Sequence, residues 1–198
     1  ASLTKQLCPR GTTILELVHP WGEYYARNQR TIPPMLYADM AVQSGVNFDA
    51  FGVRFFFGPG VDGMFLRYLF QVSSQLDLFA KMGKPLHVTA VQIPSDTSVS
   101  RASDSGERGR LDGGAWHEPW SEKIQAEWVG RFLQIALSKP FVDSVSWHEI
   151  SDHPKQRVLH GGLLRTDLSP KPAFQQFSKL RTEIQGAGKR GYATLPSG

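Results

Sequence analysis

The chain has 198 residues, 40% of them apolar, 20% charged and 11% aromatic, a globular mix large enough for one domain with a substantial core. Lys and Arg total 22 against 18 Asp and Glu, a formal charge of +4 with no concentrated basic stripe, which argues against a nucleic-acid binder. The single cysteine, Cys8, excludes an internal disulfide framework. No apolar run approaches the roughly 20 residues needed to span a bilayer. The first residues, Ala-Ser-Leu-Thr-Lys-Gln, lack an apolar signal core, so the expectation is a mature form or one never exported. A complete eight-unit barrel, typically about 250 residues, does not fit in this length.

In chain order, residues 14–19 read as a buried strand stopped by Pro20, and Pro33-Pro34 opens a helix over 35–44 that Gly45 ends. A second strand spans 48–57 and halts at Gly58-Pro59-Gly60. The three- and four-residue spacing of Phe65, Leu69, Val72, Leu76 and Phe79 predicts an amphipathic helix over 64–82. The third strand covers 85–93, and the Ser-, Asp-, Gly- and Arg-rich stretch 95–114 reads as a mobile loop. Ser121 marks the start of a helix over 121–138, a fourth strand spans 142–150, and Pro170-Lys-Pro172 leads into a last helix over 173–184. Residues 1–198 are read as a single domain with its core over about 12–185 and a frayed tail over 186–198.

Four apolar strands, each followed by a helix, predict an α/β fold with a parallel sheet. The pattern fits an open doubly wound sheet or a (βα)4 half of a TIM-type barrel. A half barrel leaves two bare edges, which homodimerisation about a two-fold axis would remove by closing eight strands. No Gly-x-Gly-x-x-Gly and no Gly-Lys-Ser/Thr follows any strand, so a nucleotide site is not expected.

Several segments in order resemble family-10 glycoside hydrolases, the xylanase-type barrels. Phe48-Asp-Ala-Phe-Gly-Val53 is similar to the sixth strand of that family, and Lys84-Pro-Leu-His-Val-Thr-Ala-Val-Gln-Ile93 to its seventh. Gln125-Ala-Glu-Trp128, Ala136-Leu-Ser-Lys-Pro-Phe-Val142, Val145-Ser-Trp-His-Glu-Ile-Ser-Asp152, Gly161-Gly-Leu-Leu164 and Pro170-Lys-Pro-Ala-Phe174 resemble its last helix–strand–helix passage. The resemblance covers roughly residues 12–180 and implies the C-terminal four units of the barrel. It also implies a missing catalytic pair. Ala90 stands at the position of the family's nucleophilic Glu, Gln92 follows at its acid position, and the strand bearing the acid/base Glu has no counterpart. Arg54 and Phe56 replace a Gln-x-His pair on the sixth strand.

In such barrels the chemistry lies at the C-terminal ends of the strands. This sequence places there His19, Trp21, Glu23, Tyr24 and Tyr25 after the first strand, Gln92 on the third, Trp116, His117 and Glu118 in the following loop, and Trp147, His148, Glu149, Asp152 and His153 after the fourth. Indoles beside carboxylates suit a sugar, whose apolar face stacks while its hydroxyls hydrogen-bond. The expected glycosidase acts on β-linked sugars with Glu23 and Glu149 as the catalytic carboxylates and Trp21, Tyr24, Gln92, Trp116 and Trp147 contacting the substrate. The structural alternative for Glu23 is a surface pair with Arg27 four residues on. Alternation puts Trp147 and Glu149 on one side and His148 on the other, with Trp147 as pocket floor. Glu16, in mid-strand, reads as a buried ion-pair partner or an outward-facing residue.

No cofactor is needed by that reading. A metal-dependent variant would hold a divalent ion on His19, His148 and Asp152. A third reading is a carbohydrate-binding protein without catalysis. The expected partners are a carbohydrate and a second copy of the chain, with no nucleic acid and no membrane.

Overall fold

In the computed structural model the described residues are 2–27, 31–59, 63–97 and 113–188. Four strands, β1 (Ile14–Leu17), β2 (Ala50–Phe56), β3 (Leu86–Gln92) and β4 (Val142–Trp147), form one all-parallel sheet in the order β1-β2-β3-β4. The helices are α1 (Ser2–Leu7), α2 (Gly22–Arg27), α3 (Pro34–Gln43), α4 (Leu69–Ala80), α5 (Glu122–Leu137) and α6 (Pro172–Gly188). Sequential order without a switch point is what a barrel wall requires.

Among the described residues, helices cover one face of the sheet. Phe51, Val53 and Phe55 of β2, with Leu86, Val88 and Val91 of β3, pack into one core with Ala38 of α3, Val72, Leu76 and Phe79 of α4, and Trp128 and Phe132 of α5. Phe55 sits among Trp21, Phe57 and Phe132 at ring separations of 6.0–6.2 Å, and Trp128 stacks on Phe132 at 4.9 Å. A doubly wound sheet buries both faces under helices; this one does not, and the architecture is an α/β half barrel.

The residues between these apolar positions line the other, inner face. Gly52 is required there: a Cβ would lie 2.9 Å from both Ile14 Cγ2 and Thr89 Cγ2. Above it Arg54 pairs with Glu16, whose carboxylate also accepts from Thr89 Oγ1 at 2.6 Å. Glu16 is thus the partly buried ion-pair partner expected from its mid-strand position. A register shift between β2 and β3 falls where β3 passes Thr89 and Ala90.

Local signals explain the element ends. Ser121 caps α5 by accepting from the Ile124 amide, Pro34 occupies the first turn of α3, and Gly45 and Gly83 follow their helices with φ of +69° and +68°. The helix expected over 64–82 begins only at Leu69. Met64 is buried on the inner face and the Leu66 amide donates to Gly113 O at 2.6 Å, so tertiary contacts hold this stretch out of the helix. β4 ends at Trp147, three residues before its expected end. The expected loop core, 98–112, and the tail beyond 188 lie outside the described residues. Among the described residues no helix is long and apolar enough to cross a membrane.

Candidate functional site

The C-terminal ends of β2, β3 and β4 meet at a rim on the inner face. Its base is a small apolar cluster of Phe56, Met64, Ala90 and Val158, each nearly fully buried. His148, the first residue past β4, is exposed and sets its ring edge-on to Phe56 at 4.8 Å, 65° between planes. Arg157, in the β4–α6 connection, holds its guanidinium 5.3 Å from the centre of the same ring.

Glu149 is the carboxylate of this rim. One oxygen accepts from Gln92 Nε2 at 3.0 Å, and the other lies 3.1 Å from His153 Nε2. The Lys155 amide donates to His153 Nδ1, which leaves Nε2 to carry the proton toward Glu149. Burial acts to raise the pKa of Glu149, but the hydrogen bonds from Gln92 and His153, with the nearby His148, outweigh it and hold the carboxyl below its ordinary value. The group is therefore an anion near neutral pH, suited to act as a base or nucleophile and unsuited to give up a proton.

Gln92 is fully buried and its amide is oriented by that carboxylate. An anion only accepts, so Nε2 must face Glu149. The amide packs against Gly161, where a Cβ would stand 2.7 Å from Gln92 Cγ. Gln92 thus positions Glu149 through its Nε2, while its Oε1 is buried without a hydrogen-bond partner.

The tryptophans depart from expectation. Alternation would hold only if the fourth strand ran to Ile150, but the strand stops at Trp147 and its pleat does not extend to Glu149. Trp147 turns to the helix side, its indole N–H donating to Gly161 O at 2.9 Å and its ring edge-on to Phe177 of α6. It is not a pocket floor. Trp21 is buried against Phe55 and Phe57, with Arg67 over its ring, and Trp116 is buried in the same helix-side core. These three indoles anchor the core and do not line the inner face. Glu23 and Tyr24 lie on α2, just past β1, and their side chains fall outside the described part of the structure.

The metal triad is not assembled either. His19 lies against Gly63, in the segment after β2, and His148 against Phe56. Asp152 is committed to the almost fully buried Lys171 at 2.6 Å and to the Gly162 amide at 2.8 Å. Lys171 also donates to Ser95 Oγ and His160 O, so it ties the β4–α6 connection to the end of β3. Among the described residues no three His, Cys, Asp or Glu side chains are grouped to hold a metal ion.

Arg157 reaches Phe56 from an irregular segment with no periodicity, so no pattern in the chain marks it. Phe56 and Ala90 stood out as departures from the family pattern, but their contact with each other depends on β2–β3 register.

No family model and no curated protein matches the chain. Solved structures do match its fold. Native xylanase 10B from Thermotoga maritima superposes with a TM-score of 0.59 at 19% identity, over 93% of this chain and 51% of that one. The endo-1,4-beta-xylanase from Caldicellulosiruptor owensensis gives 0.61 at 15% identity, over 88% and 50%. A psychrophilic family-10 endo-beta-1,4-xylanase gives 0.58 at 15%, over 88% and 47%. The chain thus spans about half the length of the structures it matches. The shared feature is the fold of half a xylanase barrel.

Proposed function

We propose that this half barrel belongs to a carbohydrate-active protein of the glycoside-hydrolase type, with its site at the strand-end rim and Glu149 as the working carboxylate. The observation that carries the reading is the state of Glu149. It is an ionised acid at the C-terminal end of a barrel strand, with both oxygens oriented by neighbours, in a fold shared with xylanases. An ionised carboxylate is the partner a glycosidase needs to attack the anomeric carbon or activate water; the proton donor must be a second group of raised pKa. Glu23, sequence-adjacent to β1, is our assignment for that donor.

A carboxylate at one end of a four-stranded wall acts on a sugar only if the wall closes. Among the described residues, both edge strands, β1 and β4, lack an outer neighbour in the sheet. We assign the missing half to a second copy, whose β1 would pair with β4 across a two-fold axis. Sedimentation then gives twice the chain mass at working concentration, and a monomer there removes the dimer.

The test of the site is Glu149→Gln assayed on aryl β-glycosides, with an expected loss of at least about 100-fold in kcat and an unchanged far-UV spectrum. Full activity in this variant refutes the assignment. A second reading, carbohydrate binding without turnover, is favoured by Ala90: the position matching the family's nucleophile is buried beneath Phe56, Met64 and Val158. Saturable oligosaccharide binding with no hydrolysis would establish it in place of the first.

A further inference from the structure

The first and last helices of the wall sit on it in the same way. Pro34, Ala38 and Ala41 of α3 are buried toward the sheet, and Ala173, Phe177 and Leu180 of α6 repeat that four-then-three spacing against the same core. In α6 the flank beside them carries Gln176, which faces α5: a Cβ on Gly130 would stand 3.4 Å from Gln176 Oε1. Tyr37 holds the same place in α3, three residues after the first sheet-facing position. Both helices follow parallel strands of one sheet, so Tyr37 points toward the helix that would precede α3 in a closed ring. That flank is uncovered: Leu36, Tyr37 and Met40 are 51%, 42% and 47% exposed.

The β4 end offers the complement. Phe174 lies about 160° round α6 from Gln176, on the flank turned away from α5, and is exposed. At the other end Ile14 and Val18, at the two limits of β1, are exposed as well. With Leu36, Tyr37 and Met40 they leave on the order of 400 Å² of largely apolar surface uncovered. A copy that closes a ring buries both of its ends, which approaches the roughly 800 Å² per partner of a stable dimer. The chain spans about half of the barrels it matches, so the missing part has the size of a second wall.

Closure also decides which acids are neighbours. Within one wall β1 and β4 stand three strand steps apart, roughly 14 Å around the sheet. Across a seam β4 and the partner's β1 would be one step apart. Glu149 follows β4, and Glu23 sits on α2 directly after β1. A glycosidase pair works with its carboxyl groups roughly 5–9.5 Å apart, a spacing that suits adjacent strands. Glu16 of the same wall cannot complete the pair, although it and Glu149 both act on His148. Burial tends to raise the pKa of Glu16, but its bonds to Arg54 and Thr89 outweigh that and keep it ionised, with no proton to give.

We infer that the active site is shared between two copies: α3 of each packs on α6 of the other, and Glu149 of one works with the partner's Glu23, giving two equivalent sites per dimer. This rests on the glycosidase and closure readings above and states which copy supplies which group. Water bonds to the anomeric carbon as Glu149 takes its proton. The glycosidic C–O bond breaks and the partner's Glu23 protonates the leaving oxygen; exchange with solvent then resets both carboxyls.

Subunit mixing tests this on aryl β-glycosides. Glu149→Gln and Glu23→Gln should each lose at least about 100-fold in kcat. Unfolded together in equal amounts and refolded, half of the dimers are mixed, and each of these holds one intact site. About a quarter of the parent activity should therefore return. No recovery from a mixture whose parent is active overturns the shared site and leaves the glycosidase reading standing. A parent with no activity overturns both. Tyr37→Lys and, separately, Met40→Lys, at exposed positions, should sediment as monomers where the parent is a dimer. A dimer that persists in both variants, or a parent that is itself a monomer, overturns the α3–α6 seam.

Discussion

The two faces of one sheet solve opposite problems. Toward the helices, β2 and β3 present aromatic and branched residues that meet Phe79, Trp128 and Phe132 in a dry core. Toward the inside, the same strands present Arg54, Thr89 and Gln92, whose polar groups are paired with Glu16 and Glu149 from the flanking strands and loops. The helix side supplies most of the stability through apolar burial. The inner side fixes charged groups in place, and its contribution to stability is modest because those groups stay partly in water. The paired polar side chains of β2 and β3 are thus gathered on the face that no helix covers among the described residues.

Substitutions on each face test that contrast. Phe55→Ala removes a fully buried ring from the helix-side cluster and should cost about 4 kcal/mol, read as a lower denaturant midpoint at unchanged m-value. Lys171→Met should cost about 3 kcal/mol, because it strands Asp152 beneath the β4–α6 connection; thermal unfolding reports it, and a loss under 1 kcal/mol would show that Asp152 finds water instead. Glu16→Gln, on the inner face, should cost only about 1 kcal/mol in the same measurement. Were it to match Phe55→Ala, the two faces would not differ as described.

The smallest effect is a dependence on pH. Burial tends to raise the pKa of Glu16, but its bonds to Arg54 and Thr89 lower it on balance, as those of Gln92 and His153 do for Glu149. A carboxyl with a folded pKa below its unfolded one adds stability that is fully present above the unfolded value, near pH 4.3. That stability is lost as pH falls through the lower folded value. Melting temperature should therefore drop more steeply below about pH 4 in the parent than in Glu16→Gln or Glu149→Gln.

Much of this architecture was legible in the sequence, for physical reasons. The first three strands announce themselves as apolar runs ended by Pro or Gly, and Ser121 announces α5 by its cap. The pairing of Glu16 follows from a charge in mid-strand, which has to find a partner. The orientation of Trp147 was not legible, because it depends on where β4 stops, and nothing local to residues 147–150 ends the pleat. Residues 64–68 have helical spacing yet are drawn into the inner cluster by Met64, a tertiary contact that outweighs local preference. The partners of Glu149 come from β3 and from a loop four residues on, so only the fold brings Gln92 to it.

Gly161 links the two sides through a single missing methyl group. Its carbonyl anchors an indole on the helix side while its bare α-carbon leaves the gap into which Gln92 fits. An alanine there would act as a wedge from behind, shifting the amide that steers Glu149 while leaving every rim residue chemically intact, so the site is adjustable from a position that no ligand needs to touch.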